Sequence, residues 1–206
     1  MPIPANVLAG AALLAAAACA PAVPGAEPAP APEAARADTG RAGYTAADVR
    51  FMQHMIAHHA QALEMTALVP ERTPSQDVRL VAERMEVSQR DEIATMQRWL
   101  RDRGHAVPDA HAHHAAEHAA MPGILSAEEM RGLAAARGAE FDRLFLERMI
   151  RHHEGALVMV RELMAAPGAG QEPATFQIAA EVESDQRAEI ARMRSLLAAR
   201  AAAAPR

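Results

Sequence analysis

Between about residues 45 and 200 the apolar positions return every third or fourth residue rather than every second. Phe51, Met55, Ala62 and Met65 fall on one side of a helical wheel, the pattern of an amphipathic helix with a single buried stripe. Punctuation sets the ends. Thr45 and Ser75 stand where helix N-caps are needed, and Ser126-Ala127-Glu128-Glu129 has the Ser-x-x-Glu form of a capping box. Pro70 and Pro74 interrupt the first pair of periodic segments, and Pro167, Gly168, Gly170 and Pro173 interrupt the second. The spacing predicts helices near 45–69, 75–103, 139–165 and 173–200, with a short one near 127–137. At about 1.5 Å per residue the long four measure roughly 35–42 Å, lengths suited to lying side by side.

The pattern is written twice. Phe51-Met52-Gln53-His54-Met55-Ile56-Ala57-His58-His59 is matched 94 residues later by Phe145-Leu146-Glu147-Arg148-Met149-Ile150-Arg151-His152-His153, and the match extends to Asp48/Asp142, Ala62/Ala156, Leu63/Leu157 and Met65/Met159. A second stretch, Gln89-Arg90-Asp91-Glu92-Ile93-Ala94-Thr95-Met96, returns 97 residues later as Gln186-Arg187-Ala188-Glu189-Ile190-Ala191-Arg192-Met193. Each copy reads as helix, Pro-rich turn, helix. Two α-hairpins of this kind bury their stripes against each other, so the expected fold is all-α, a four-helix bundle. The link at 104–125 is longer than an antiparallel turn requires. As a crossover running the length of the bundle, as in ferritin-like folds, it lets the first and third helices meet through their repeated motifs.

Composition narrows the function. Alanine supplies about a quarter of the residues and aromatics 3%, again favouring helix. The net charge of −5 offers no basic face to nucleic acid. There is no lysine, which excludes Schiff-base and phosphate-loop lysine chemistry. Cys19, the single cysteine, excludes a disulfide framework and cysteine-ligated zinc or iron–sulfur sites. Residues 7–18 are uncharged and Ala/Leu-rich, too short to span a bilayer and fitting the apolar core of an export signal. The Ala16-Ala17-Ala18-Cys19 junction resembles a lipoprotein cleavage box. Residues 1–19 are thus expected to direct export, with Cys19 lipidated to hold the protein at a membrane surface outside the cytoplasm, in the periplasm; the alternative is an ordinary secretory signal. Residues 20–43, with Pro21, Pro24, Pro28, Pro30 and Pro32, read as a stalk. Residues 44–206 read as the folded domain.

The chemistry lies in the repeated motif. On a wheel at about 100° per residue, His59 falls about 40° from Met55, an i, i+4 pair on one face, while His58 lies on the flank of the same stripe. The second copy offers Met149, His152, His153 and Met159 against Met55, His58, His59 and Met65 in the first. Imidazole with thioether is a soft ligand field in which copper, as Cu(I) or Cu(II), is the metal both donors share; zinc suits the imidazoles alone. On the second helix of each copy, Glu86, Gln89, Ile93 and Met96 recur as Glu183, Gln186, Ile190 and Met193. Glu86, Gln89, Glu183 and Gln186 are expected to orient the histidines, as are Asp48 and Asp142. The link adds His105, His111, His113, His114, His118 and Met121 as a looser metal-binding tract. Di-iron bundles carry Glu-x-x-His on two helices. That motif occurs nowhere in the chain, so iron is disfavoured.

Met-Ile-x-His-His-x-x-Ala-Leu-x-Met, twice, each followed by Gln-Arg-x-Glu-Ile-Ala-x-Met, resembles the bacterial family called domain of unknown function 305. The stretch from Met121-Pro122-Gly123 to Met130 and Gly138-Ala139-Glu140-Phe141-Asp142 resembles that family's middle segment. The resemblance implies a ferritin-like bundle in an exported protein, and copper binding or copper tolerance. Its His-His and Met positions fall on Met55, His58, His59 and Met65, and on Met149, His152, His153 and Met159. The expected function is copper sequestration or carriage without turnover, with an unidentified delivery partner and self-association both open. A ferritin-like metallo-oxidase and a metal-free helical interaction module are the alternatives.

Overall fold

The computed structural model describes residues 43–109 and 120–203. The expected export segment with Cys19, the stalk up to residue 42, and His111, His113, His114 and His118 lie outside them. Helix α1, Ala46–Ala67, starts where Thr45 accepts from the Ala47 and Asp48 backbone N–H groups while the Asp48 carboxylate accepts from the Thr45 backbone, a complete capping box. It ends at Leu68, whose N–H reaches the Met65 and Thr66 carbonyls, and one short turn, α2 (Val69–Arg72), carries Pro70. Helix α3 is Gln76–Asp102, α4 is Ala127–Ala135, α5 is Gly138–Ala165 and α6 is Pro173–Ala203. Ser126 and Glu129 close the expected box at the head of α4. Ser75 caps α3 by position only, since its hydroxyl accepts from Arg200 instead. The described residues are helical and turn throughout, without a strand.

Helix α1 packs on α3 and α5, and α6 packs on the same two, closing a cycle in which each long helix has two long neighbours. The apolar core has two parts. One gathers Phe51, Met55 and Ile56 of α1, Met96 and Trp99 of α3, Met159 and Val160 of α5, and Ile178 and Val182 of α6. The other gathers Met65 of α1, Val78 and Met85 of α3, Phe141, Phe145 and Met149 of α5, and Ile190 and Met193 of α6. Helices α1 and α6 therefore run from the first cluster to the second, and α3 and α5 run back, so neighbours in the cycle are antiparallel. Phe141 and Phe145 stack with ring centroids 5.8 Å apart.

Beyond the first cluster, Tyr44, Trp99 and His105 form a small aromatic group, with Arg103 lying 4.3 Å over the Trp99 ring. Trp99 Nε1 donates to Glu172 at 2.9 Å, and Arg103 pairs with the same carboxylate. Residues 121–125 cross α1 and α5 as a strap. Gln61 of α1 exchanges two hydrogen bonds with the backbone of Leu125, at 2.9 and 2.8 Å. Gly155 of α5 lets the Pro122 carbonyl come so close that a Cβ there would lie 2.0 Å from the oxygen.

Candidate metal centre

Between the two apolar clusters the core turns polar. On α1 it falls between Ala57 and Ala62, on α5 between Met149 and Ala156, on α3 between Met85 and Met96, and on α6 between Val182 and Ile190. These intervals hold His58 and His59, His152 and His153, Gln89 and Glu92, and Gln186 and Glu189. The four histidines and two glutamines are buried, none more than 1% exposed. His58 and His152, one from each copy, face each other with ring centroids 3.8 Å apart and planes 38° from parallel. His59 and His153 flank them, 6.4 and 6.1 Å from their sequence neighbours.

Three of the rings are anchored through Nε2. His59 donates to Glu92 at 2.5 Å, His153 to Glu189 at 2.6 Å, and His58 to the Pro122 carbonyl at 3.0 Å. Ser88 ties Glu189 further, its hydroxyl donating to the other carboxylate oxygen at 3.3 Å. In a neutral imidazole an Nε2–H fixed in this way leaves Nδ1 as the nitrogen with a lone pair to offer, the arrangement that orients histidine metal ligands. Burial, with His59 beside it, lowers the His58 pKa to about 3. Burial, with His58 and His153 beside it, holds His152 well below the usual histidine value. Both are therefore neutral imidazoles, the ligating form, at any ordinary pH.

The layer is costly for folding alone. Among the described residues, Nδ1 of all four histidines, Nε2 of His152, both amide atoms of Gln89, Oε1 of Gln186 and Oε1 of Glu92 are buried with no hydrogen-bond partner. Each such group costs about 1–3 kcal/mol, and native cores leave few of them.

The expected site residues divide. His58, His59, His152 and His153 come together, and Gln89 and Gln186 lie in the same layer. Met55 and Met149 border it, one helical turn before His59 and His153, in opposite apolar clusters. Met65 and Met159 also lie in opposite clusters. Glu86 and Glu183 do not orient histidines: they sit at the surface and pair with Arg90 and Arg187, each four residues on, at 2.7 and 2.6 Å. Asp48 closes the α1 capping box and accepts from the Gly170 backbone at 2.7 Å, while Asp142 pairs with Arg200 at 3.2 Å. Both serve helix ends, away from the imidazoles. His105 Nε2 bonds the Tyr44 hydroxyl at 3.0 Å, and Met121 is buried in the first cluster. The carboxylates that do hold histidines are Glu92 and Glu189, each inside the quoted Gln-Arg-x-Glu repeat. Heptad spacing marks them: Val78, Met85, Glu92 and Trp99 on α3, and Thr175, Val182 and Glu189 on α6. Among the described residues no three His, Cys, Asp or Glu groups converge so as to hold a metal ion by themselves.

Solved structures share this architecture. A DUF305 fragment from Deinococcus radiodurans is 34% identical, with 75% of this chain and 97% of that one covered and a TM-score of 0.66. A candidate secreted DUF305 protein from Streptomyces coelicolor is 27% identical over 75% of this chain and 94% of its own, also at 0.66. CopM, solved in a Cu(I)-bound form, is 24% identical over 72% of this chain and 94% of its own, with a TM-score of 0.57, and at that identity shows the fold alone. No curated protein matches the chain. The family description "domain of unknown function (DUF305)" matches residues 48–197. The chain belongs to the DUF305 family.

Proposed function

We propose that this is an exported copper-binding protein that holds its metal through the buried imidazoles of His58, His59, His152 and His153 with thioether help from Met55 and Met149, without turnover. One observation carries the reading. Four buried imidazoles, three of them anchored by Nε2, present unpartnered Nδ1 atoms inside a core that has no structural need of them. Zinc suits the imidazoles alone, whereas a soft ion takes imidazole and thioether together; with Met55 and Met149 bordering the layer, that ion is Cu(I). CopM, of the same fold, has been solved with Cu(I), Cu(II) and silver bound, which supports the choice. Met65 and Met159 are further donors in this reading, and the His-rich link a separate, weaker one.

The antiparallel cycle of long helices and the long link between the copies support a ferritin-like four-helix bundle. Export rests on the leader at 1–19 and on the Streptomyces coelicolor relative. No described helix is long and apolar enough to cross a membrane; in this reading a lipid on Cys19 attaches the protein.

Metal analysis of the full chain after exposure to Cu(I), Cu(II), Zn(II) and Fe(II) tests the proposal. Copper is retained preferentially, and the His59→Ala/His153→Ala pair removes most of it while circular dichroism shows the helices intact. Undiminished stoichiometry after all four histidines are replaced would move the site to the His-rich link.

A further inference from the structure

The two sides of the histidine layer are built differently. On the α1/α5 side the strap lies against it, the Pro122 carbonyl taking His58 Nε2 and the Pro122 and Gly123 backbone pressed onto Gly155. On the α3/α6 side lies a groove of about 670 Å³, lined by Glu83, Asp91, Glu92, Glu181 and Asp185 with Arg84 as the single cation. Glu92 joins the groove to the interior. It lines the groove with a side chain 10% exposed, Oε2 holds His59, and Oε1 is buried with no partner among the described residues. Asp185 reports the density of negative charge: burial, then the charges of Glu92, Glu189 and Glu181, raise its pKa above the usual value.

We propose that the groove between α3 and α6 is the entrance for the metal, an anionic vestibule that concentrates hydrated metal cations at Glu92 and passes them to the imidazoles behind it. The inference rests on the copper-binding reading above. Clefts lined by one sign of charge focus the field and raise association rates about 10- to 10³-fold, an effect that salt suppresses. Glu92 both lines the groove and holds His59, so its unpartnered Oε1 offers a cation leaving its hydration shell an oxygen donor beside the imidazole. Asp91, Glu181 and Asp185 are exposed and touch no histidine, so they set the rate of arrival and not the final binding.

The test measures loading of the full chain with Cu(II), and with Ag(I) nitrate as a redox-inert stand-in for Cu(I), stopped at timed intervals by excess chelator before metal analysis. For an ion that the wild type retains through its histidines, the Asp91→Asn/Glu181→Gln/Asp185→Asn variant loads about tenfold more slowly at low ionic strength. It also loses most of the salt dependence and reaches the same final stoichiometry. A control with equal charge change outside the groove, Asp77→Asn/Glu128→Gln/Glu140→Gln, loads as the wild type does. Unchanged rates in the groove variant, equal slowing in the control, or lost final stoichiometry would each overturn the vestibule. A wild type that retains no ion through its histidines refutes the copper-binding reading itself, a distinct outcome.

Discussion

Gly155→Ala is the sharpest test of the strap. A Cβ on residue 155 would lie 2.0 Å from the Pro122 oxygen, 2.4 Å from its carbonyl carbon and 2.7 Å from Gly123 Cα. All three are backbone atoms, so no rotamer relieves the clash, and the strap must retreat by about 1.4 Å to reach an ordinary contact near 3.4 Å. Retreat is resisted at Leu125, held by Gln61. Overpacking of this kind costs about 1–3 kcal/mol, and losing the His58–Pro122 hydrogen bond adds about 0.5–1.5 kcal/mol. Alanine returns about 1 kcal/mol of helix propensity. The net loss is about 2 kcal/mol, read in urea as a midpoint lowered by about 1 M at unchanged slope. Gly132→Ala in α4 is the counterpart: its Cβ would meet only the Arg148 guanidinium, at 3.5 Å, so the propensity gain stands and the variant is up to about 1 kcal/mol more stable. Equal stabilisation by the two substitutions would show that the strap does not press on α5.

Gln61→Ala removes both bonds to Leu125 in a buried setting and is expected to cost about 1–3 kcal/mol in thermal or urea unfolding; a loss below about 0.5 kcal/mol would contradict the anchoring role. The metal-free chain should lose stability as pH falls. His58 and His152 stay neutral in the native state while the unfolded chain protonates them near pH 6.5, so below that pH the unfolded state binds more protons. The decline is up to about 1.4 kcal/mol per pH unit for each histidine, continuing to about pH 3 for His58, where the native ring also charges. Unfolding midpoints between pH 7.5 and 4.5 check this, and a His58→Gln/His152→Gln variant should flatten the slope; an equally steep slope in that variant would assign the decline to other groups.

Much of this is legible in the sequence because the helix pattern is written twice. Phe51 and Phe145, Met55 and Met149, and the two His-His pairs are buried at matching positions, and Thr45 caps its helix as its type and place imply. The limit shows one residue to the side of Glu86: its neighbour Met85 is the buried core position. Counting from Met85 in sevens reaches Glu92 and Trp99, and from Val182 reaches Glu189. A carboxylate on an apolar heptad position looks like a defect until the imidazole opposite is known, and that imidazole belongs to another helix 33 residues away in sequence. Asp48 misled for the opposite reason. Its recurrence as Asp142 suggested shared chemistry, yet one serves a helix cap and the other an arginine.

The glutamine and the glycine beneath the strap carry a consequence for the repeat. Gln61 and Gly155 stand 94 residues apart and so occupy the same place in the two copies. A single hairpin associating with a second identical hairpin would present two glutamines or two glycines there. Two glycines would admit a connecting segment with nothing to bind it, and two glutamines would bind it with no room to lie flat. Two repeats in one chain, each free to differ from the other, supply a latch on one helix and a recess on its neighbour. Carrying both repeats in one polypeptide thus does more than link them: it allows a division of labour in which a core of matching halves has one closed side.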